Sequence, residues 1–197
     1  MPGAPIEPAL GLLELESIAA GIETGDAMVK RAPVEVLRAG TVHPGKYLVL
    51  VGGSVADVEE ALDAGREVGG LAVRDVTFLA NIHPDVVAGV RGRRQEAGDE
   101  ALGIIETATV PAIIRAADAG LKGAQVRLLE IHLADDLGGK GYLLFDGAVT
   151  DVQVAVEIGT AAVGEARGLY ARVIAQLHTE MASELAADGR FSARVGQ

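Results

Sequence analysis

Residues 9–37 read ALGLLELESIAAGIETGDAMVKRAPVEVL, and residues 101–129 read ALGIIETATVPAIIRAADAGLKGAQVRLL. At an offset of 92 the two segments share twelve identical residues, which in the first copy are Ala9, Leu10, Gly11, Glu14, Ala20, Ile22, Asp26, Ala27, Lys30, Ala32, Val34 and Leu37. A two-residue insertion then changes the offset to 94, and the similarity continues beyond it. A repeat of about 90 residues is too long for a solenoid unit and about the size of a small domain. The sequence therefore predicts two copies of one domain.

The repeat sets the predicted domain bounds. We assign residues 1–8 to an N-terminal tail, 9–90 to the first domain, 91–100 to a linker, 101–190 to the second domain and 191–197 to a C-terminal tail. The linker is charged, contains two glycines and lacks hydrophobic periodicity, as expected of a surface connector. Its RGRR run is interpreted as part of a solvated connector rather than as a specific anion site.

The first part of each copy predicts a strand, a helix and a second strand. In the first copy ALGLLEL is a short apolar run suited to a buried strand. Ser17 can cap the helix that follows, on which Ile18, Ile22 and Val29 fall on one face. The stretch VEVLRAGTV then predicts the second strand.

The second part of each copy predicts a hairpin, a helix and a last strand. In the first copy HPGK turns the chain into the strand KYLVLVGG, and Ser54 starts a helix with a capping-box-like Asp57 three residues on. VRDVTFLAN closes this unit, and the last strand of the second copy is expected within residues 164–181. The order β-α-β-β-α-β is the split βαβ, or ferredoxin-like, arrangement of an α+β domain, in which both helices cover one face of an antiparallel sheet.

Composition argues against several kinds of partner. The 197 residues include 17 Lys and Arg against 28 Asp and Glu, a formal net charge of −11, whereas a general nucleic-acid binder needs a basic surface. The chain has no cysteine, which excludes disulfides, thiolate nucleophiles and cysteine-ligated zinc or iron–sulfur sites. No signal-peptide pattern begins the sequence and no stretch approaches about 18 uninterrupted apolar residues, so we expect neither export nor membrane insertion.

Several separated blocks, in the same order in both copies, resemble the domain of bacterial microcompartment shell proteins. They are the 29-residue segment quoted above, a glycine-containing hairpin and VLVGGSVADVEEALDAG, and the resemblance covers residues 9–85 and again 101–181. Two such domains in unpermuted order resemble the tandem-domain class of this family. The resemblance implies a non-enzymatic homotrimer without cofactor, in which six domains form a pseudohexagonal tile with a central pore. It also implies that the tile lies in a microcompartment shell in the bacterial cytoplasm, beside hexameric and pentameric shell proteins.

The resemblance also implies which turn lines the pore. The turn between the second and third strands maps to His43, Pro44, Gly45 and Lys46 in the first copy, and to Asp135, Asp136, Leu137, Gly138 and Gly139 in the second. A trimer would alternate three short turns with three longer, glycine-rich ones. The two aspartates would make the rim anionic and His43 would make it pH-sensitive near its ordinary pKa of about 6.5, and small polar metabolites are the expected cargo. Which side chain narrows the pore most is left open.

The same resemblance suggests residues at the edge of the tile. Lys30 and Lys122 occupy one repeat position: either each lysine only favours the end of its helix, by about 0.3–1 kcal/mol, or each lies at the border between tiles. The family's Pro-Arg-Pro-His type edge segment matches residues 79–85 and 174–180. His83 and His178 are retained there, but Asn81 and Gln176 stand where the family has arginine. Because neutral amides replace a planar donor fork, a weaker edge contact is expected.

Other kinds of site are less well supported by the sequence. His132 with Asp135 and Asp136 could be imagined as a metal site, but two aspartates before Leu-Gly-Gly are ordinary turn chemistry, so no metal is predicted. The run GGKG lacks the hydroxyl residue of a phosphate loop and leads into a strand rather than a helix. No catalytic constellation has a recognisable spacing. The alternative is a soluble trimeric ferredoxin-like sensor or regulator, which would bind a metabolite saturably and not assemble beyond the trimer.

Overall fold

The computed structural model describes residues 8–98, 100–164 and 168–187, so most of the predicted tails and the end of the second domain lie outside the described residues. The first half of the chain contains β1 (Ala9–Leu15), α1 (Ile18–Arg31), β2 (Val36–Val42), β3 (Lys46–Gly53), α2 (Val55–Gly69), a short 3₁₀ turn (Gly70–Ala72), β4 (Val73–Leu79) and α3 (Pro84–Val90). The second half contains β5 (Ala101–Thr107), α4 (Val110–Gly123), β6 (Arg127–Leu133), β7 (Gly141–Gly147), α5 (Val149–Val163), β8 (Tyr170–Ile174) and α6 (Thr179–Ala186). The predicted β-α-β-β-α-β order is confirmed in both copies, and each last strand is followed by a further short helix, α3 or α6.

Each half forms its own four-stranded antiparallel sheet. The strand orders are β2-β3-β1-β4 and β6-β7-β5-β8, which are the same arrangement twice. In the first sheet Leu12 lies opposite Thr77 of β4, and in the second sheet Ile104 lies opposite Arg172 of β8. Because Leu12 and Ile104 are repeat positions, Thr77 and Arg172 are equivalent positions on the two edge strands.

The sequence pattern places Ile18, Ile22 and Val29 on one apolar face of α1. The helix packs on its own sheet with a different face. Ser17 caps it, since the serine hydroxyl accepts a hydrogen bond from the backbone N–H of Ala20 at 3.3 Å. The residues of α1 that are buried inside the domain are Gly21, Thr24, Gly25 and Met28. A side chain at Gly21 would collide with the ring of Tyr47, so glycine is needed for this close approach. The face with Ile18, Ile22 and Val29 points away from its own domain.

Helix α4, the counterpart of α1, is covered on both sides. Ten of its residues are buried, which a helix lying on a single sheet would not achieve. One hydrophobic cluster runs from the second sheet through α4 to Leu10, Leu12 and Leu50 of the first sheet. The two domains of the chain therefore share a core, and α4 lies at their boundary.

The connector between the domains lies at the surface but is bound along its length. Arg93 forms an ion pair with Asp85 at 2.6 Å, and Arg94 forms one with the buried Glu130 at 2.9 Å. The backbone N–H of Gln95 donates to the carbonyl of Leu129 at 2.8 Å. The RGRR run is exposed, as expected of a solvated connector, and the charges of Arg93 and Arg94 are in addition paired with carboxylates of the neighbouring elements.

Candidate functional site: the domain seam and the pore turns

We call the contact of α4 with β1, β4 and residues 81–83 of the first domain the seam. Its first polar contact is the fully buried carboxylate of Glu14. One oxygen accepts from Nζ of Lys46 at 2.6 Å, and the other accepts from the backbone N–H of Val110 at 2.8 Å. Val110 is the first residue of α4, so the carboxylate of one domain neutralises the positive helix end of the other.

The central polar contact of the seam is formed by Arg115 of α4. Its guanidinium lies 3.1 Å from the carboxylate of Asp75 on β4. It also donates to the carbonyl of Val76 at 2.6 Å and to the hydroxyl of Thr77 at 2.8 Å. The hydroxyl of Thr109 donates to the same carboxylate at 2.5 Å. The cation of this contact comes from the helix and the anion from the strand edge.

The third polar contact joins the end of α4 to the segment after β4. The carboxylate of Asp118 accepts from the backbone N–H of His83 at 2.8 Å and from Nζ of Lys122 at 2.6 Å. Lys122 also donates to the carbonyl of Asn81. Three of the predicted edge residues, Asn81, His83 and Lys122, are thus brought together at one end of the seam.

The apolar side chains of the seam have exposed counterparts on α1. The exposed fractions of Ile18, Ile22 and Val29 are 40%, 57% and 39%, whereas those of Val110, Ile114 and Leu121, at the same repeat positions of α4, are 1%, 0% and 8%. The carboxylates of the polar contacts differ in the same way. Asp26 and Glu106 have side chains that are 57% and 36% exposed, whereas the side chains of their counterparts Asp118 and Glu14 are 6% and 0% exposed. The chain therefore contains one complete seam. It also contains the two halves of a second seam, the α1 face of the first domain and the corresponding edge of the second domain, which have no partner within the chain.

The predicted pore turns lie next to each other. His43, Pro44 and Gly45 form an exposed turn between β2 and β3. A Cβ added at Gly139 would lie 2.9 Å from the carbonyl oxygen of His43, so the second turn passes directly beside the first. In that second turn Asp135, Asp136 and Gly138 are exposed and Leu137 is partly buried.

Lys46 does not fit the pore prediction. Its side chain is buried and its ammonium group is held by Glu14, covered by the second turn, where a Cβ added at Gly139 would lie 3.1 Å from Nζ. A buried lysine needs an opposite charge close by, and Glu14 supplies it. The prediction that the Lys46 side chain lines a pore is therefore wrong, and the first copy offers His43, Pro44 and Gly45.

Of the predicted edge residues, His83, His178 and Lys30 lie at helix ends. Nδ1 of His83 accepts from the N–H of Asp85 at 3.2 Å, and Nδ1 of His178 accepts from the N–H of Glu180 at 3.3 Å, so the two histidines cap α3 and α6. Lys30 is largely exposed and pairs with Asp26 at 2.5 Å. Gln176 is exposed just after β8. The edge role of these residues stays a prediction.

A polar cluster that is absent from the first copy adjoins the second pore turn. The ring of His132 stacks on that of Tyr142 with centroids 5.4 Å apart. Nδ1 of His132 lies 3.4 Å from the carboxylate of Glu130, and its Nε2 lies 3.2 Å from the carbonyl oxygen of Asp135. Burial, and next the neighbouring charge of Glu130, raises the pKa of Tyr142 to about 12. Within the described ranges no three His, Asp or Glu side chains are grouped as a metal site would require.

The raised pKa of Tyr142 predicts a loss of stability at high pH. Between about pH 10, where an unfolded tyrosine ionises, and about pH 12, the folded chain holds a proton that the unfolded chain has lost. The free energy of unfolding should therefore fall as the pH rises through this window. Urea denaturation of Tyr142→Phe should show a shallower fall than the parent. Equal slopes for the two proteins would contradict the prediction.

Sequence reasoning missed the carboxylates of the seam. Glu14 and Asp118 did leave a signal, because they belong to the twelve identities of the repeat and identical charged residues in two diverged copies indicate a shared contact. Arg115 and Asp75 left none, since neither recurs in the other copy.

Among the described residues no helix is long and apolar enough to cross a membrane.

Comparisons with known proteins agree with the duplicated fold. A family model described as the BMC domain matches residues 9–82 and again 101–177. The bacterial microcompartment shell protein PduT of Citrobacter freundii is 41% identical over 175 residues, which is 88% of this chain and 95% of PduT. The carboxysome assembly protein CcmO of Synechocystis sp. is 30% identical over 169 residues, which is 79% of this chain and 56% of CcmO.

Solved structures show the same arrangement. The crystal structure of a microcompartment protein from Desulfitobacterium hafniense DCB matches with a TM-score of 0.74 and 38% identity, covering 88% of this chain and 97% of that one. A fused permuted hexameric shell protein of the RMM microcompartment matches with a TM-score of 0.54 and 19% identity, covering 78% of this chain and 82% of that one, and this likeness shows the fold alone.

Proposed function

The chain belongs to the BMC-domain family of bacterial microcompartment shell proteins, and from this premise we propose that three copies close into a ring of six domains that forms one tile of the shell. The observation that carries the proposal is the uncovered face of α1. Its counterpart on α4 is buried against the first domain, and the second domain has an equivalent edge, β8, that nothing in the described chain covers in this way. The role is structural rather than catalytic.

The α1 face and the β8 edge, the two halves without a partner in the chain, determine the kind of contact between subunits. The α1 face of one subunit fits the β8 edge of the next, so the contact is head to tail, and repeating such a contact produces either a closed ring or an open filament. If the seam between chains has the geometry of the seam within the chain, all six domains are related by the same step. A flat ring of six is what the family resemblance implies.

The short helices support the same direction around the ring. Helix α3 of the first domain packs on β6 of the second, and its Val86 is completely buried. The equivalent Met181 of α6 is 48% exposed. Helix α6 stays on the second sheet of its own chain, where Ala182 and Leu185 pack, so in a ring its exposed Met181 would face β2 of the next subunit.

The ring would bring the six pore turns to one axis. Three turns with His43 and Pro44 would alternate with three that carry Asp135 and Asp136, because neighbouring turns already touch within the chain. The rim would then be acidic and of threefold chemistry, suited to small polar metabolites rather than to macromolecules. Hexameric and pentameric shell proteins are the proposed neighbours of the tile.

The mass of the purified protein tests the ring directly. Sedimentation velocity at micromolar concentration should give a species of three times 20.2 kDa, and electron microscopy should show sheets, tubes or closed shells when other shell proteins are added. A stable monomer at this concentration would rule the ring out. A trimer that never assembles further and binds a small ligand saturably would favour a sensor instead.

The edge role of the lysines predicts a separate effect. Because Lys30 and Lys122 remain 72% and 42% exposed at their side chains, Lys30→Ala with Lys122→Ala should leave the trimer intact. Each lost contact between tiles is expected to cost about 0.5–1 kcal/mol, and these losses recur along every edge. Electron microscopy should show fewer and smaller sheets than with the parent, while Arg66→Ala, on the exposed surface of α2, should assemble normally. Normal sheets from the double variant would mean that the lysines only end their helices.

A further inference from the structure

The central contact of the seam differs between the two copies of the domain. Within the chain, Arg115 of α4 faces Asp75 and Thr77 of β4. At the repeat position of Arg115, helix α1 carries Glu23, and at the positions of Asp75 and Thr77 strand β8 carries Tyr170 and Arg172. The helix residue is therefore positive in α4 and negative in α1. The strand edge is negative in β4 and positive in β8.

Glu23 and Arg172 are exposed and have no charged partner among the described residues. In the part of the chain that the structure describes, Glu23 makes no hydrogen bond or ion pair, and the guanidinium of Arg172 donates only to the carbonyl of Ala171 at 2.7 Å. Glu23 lies beside Ile22 and one turn from Asp26, on the face of α1 that the seam comparison leaves uncovered. Arg172 points from the free edge strand of the second sheet.

We propose that Glu23 of one subunit forms an ion pair with Arg172 of the partner subunit, at the centre of the seam between chains, with polarity opposite to the Arg115–Asp75 pair within the chain. The inference rests on the proposed ring. It adds a selection rule, because each helix would accept only the edge of the other copy. The partner that fits this surface is a second copy of the same chain.

The rule follows from the mismatched pairings. Placing α1 against a β4 edge would set Glu23 beside Asp75, and placing α4 against a β8 edge would set Arg115 beside Arg172. Both arrangements bring like charges together where the ion pair within the chain is largely buried, and like-charge contacts at an interface strongly disfavour the wrong partner. Since α4 already covers the β4 edge within each chain, the rule keeps α1 of another subunit from displacing it, and first and second domains alternate around the ring.

The other two polar contacts cannot make this distinction. Glu106 pairs with Lys140 at 2.8 Å as Glu14 pairs with Lys46, and Asp26 pairs with Lys30 as Asp118 pairs with Lys122. In the ring, Glu106 would accept from the N–H of Ile18 and Asp26 from the N–H of His178 of the partner subunit. Since these residues are alike in both copies, they favour any seam equally and leave the choice of partner to the central pair.

Charge reversal of the full-length protein tests the pair. Glu23→Arg and Arg172→Glu should each weaken the trimer by about tenfold to a hundredfold in dissociation constant per seam, because each places like charges together. The double variant Glu23→Arg/Arg172→Glu should restore most of this loss, measured by sedimentation across a dilution series. Glu60→Arg, which makes the same charge change on the exposed surface of α2, should dissociate like the parent.

Mixing the two single variants gives an independent readout. A trimer of either variant alone has three repulsive seams, whereas a mixed trimer has two complementary seams and one repulsive seam. Native mass spectrometry of an equimolar mixture should therefore show mixed trimers well above their statistical share.

The outcomes separate this inference from the ring itself. Single variants that dissociate like the parent would overturn the inference while leaving the ring intact. Single variants that weaken the trimer without rescue by the double variant would also overturn it, since the residues would then lie in the seam without pairing. A parent protein that sediments as a monomer would instead remove the proposed ring and the inference with it.

Discussion

Ile22→Glu should convert the proposed trimer into a folded monomer. Ile22 is 57% exposed in the single chain, so a carboxylate there meets water and the fold tolerates it. Its counterpart Ile114 is completely buried in the seam, so the same carboxylate would lose its water when the ring closes and would find no cation among the apolar residues of the seam. An unpaired buried charge costs several kcal/mol, which corresponds to at least about a thousandfold in affinity at each seam.

A matched control is available on α5. Val154 is 41% exposed, and the equivalent residue of the first copy is Glu60, so this position accepts a carboxylate. Sedimentation should give a trimer for Val154→Glu and a monomer for Ile22→Glu, with the same far-ultraviolet circular dichroism for both. If Ile22→Glu still sediments as a trimer, the α1 face does not form the seam between chains.

Glu14→Ala should destabilise the fold more than any change at the free half-seam. The substitution leaves the buried ammonium group of Lys46 without a counter-charge and the N–H of Val110 without an acceptor. Breaking a buried ion pair by removing one partner costs about 3–5 kcal/mol, a large part of the stability of a domain. The loss should appear as a lower midpoint in urea denaturation.

The second copy supplies the control for this effect. Glu106 forms the equivalent pair with Lys140, but in the single chain both side chains are partly exposed. In the monomeric Ile22→Glu background, Glu106→Ala should therefore cost less than about 1 kcal/mol. Replacing both members of the buried pair, as in Glu14→Leu/Lys46→Met, should recover much of the loss from Glu14→Ala, because no charge is then left unpaired. Equal losses of stability from Glu14→Ala and Glu106→Ala would show that burial does not determine how much this ion pair contributes to the free energy of unfolding.

Much of the fold could be predicted because its signals are local. The strand runs, the cap at Ser17 and the cap at Ser54, whose hydroxyl accepts from the N–H of Asp57, are short stretches whose chemistry acts within a few residues. The repeat shows each strand and helix of the unit twice, but the two caps do not recur: Thr109 makes no side-chain capping bond and Ala148 stands at the position of Ser54. The mistake concerns Lys46, whose deciding partner, Glu14, lies 32 positions away in the sequence.

The sequence by itself determined the duplication, the order of elements and the family that the chain resembles. These depend on patterns within one copy and on the comparison of one copy with the other. Only the tertiary structure decided which copy of each shared residue is covered. Ile22 and Ile114 are the same amino acid at equivalent points of the equivalent helices α1 and α4, yet one faces solvent and the other a neighbouring domain. The exposure of a residue depends on its neighbours as well as on its own side chain. The complete seam can therefore be told from the half without a partner only when the two domains are placed side by side.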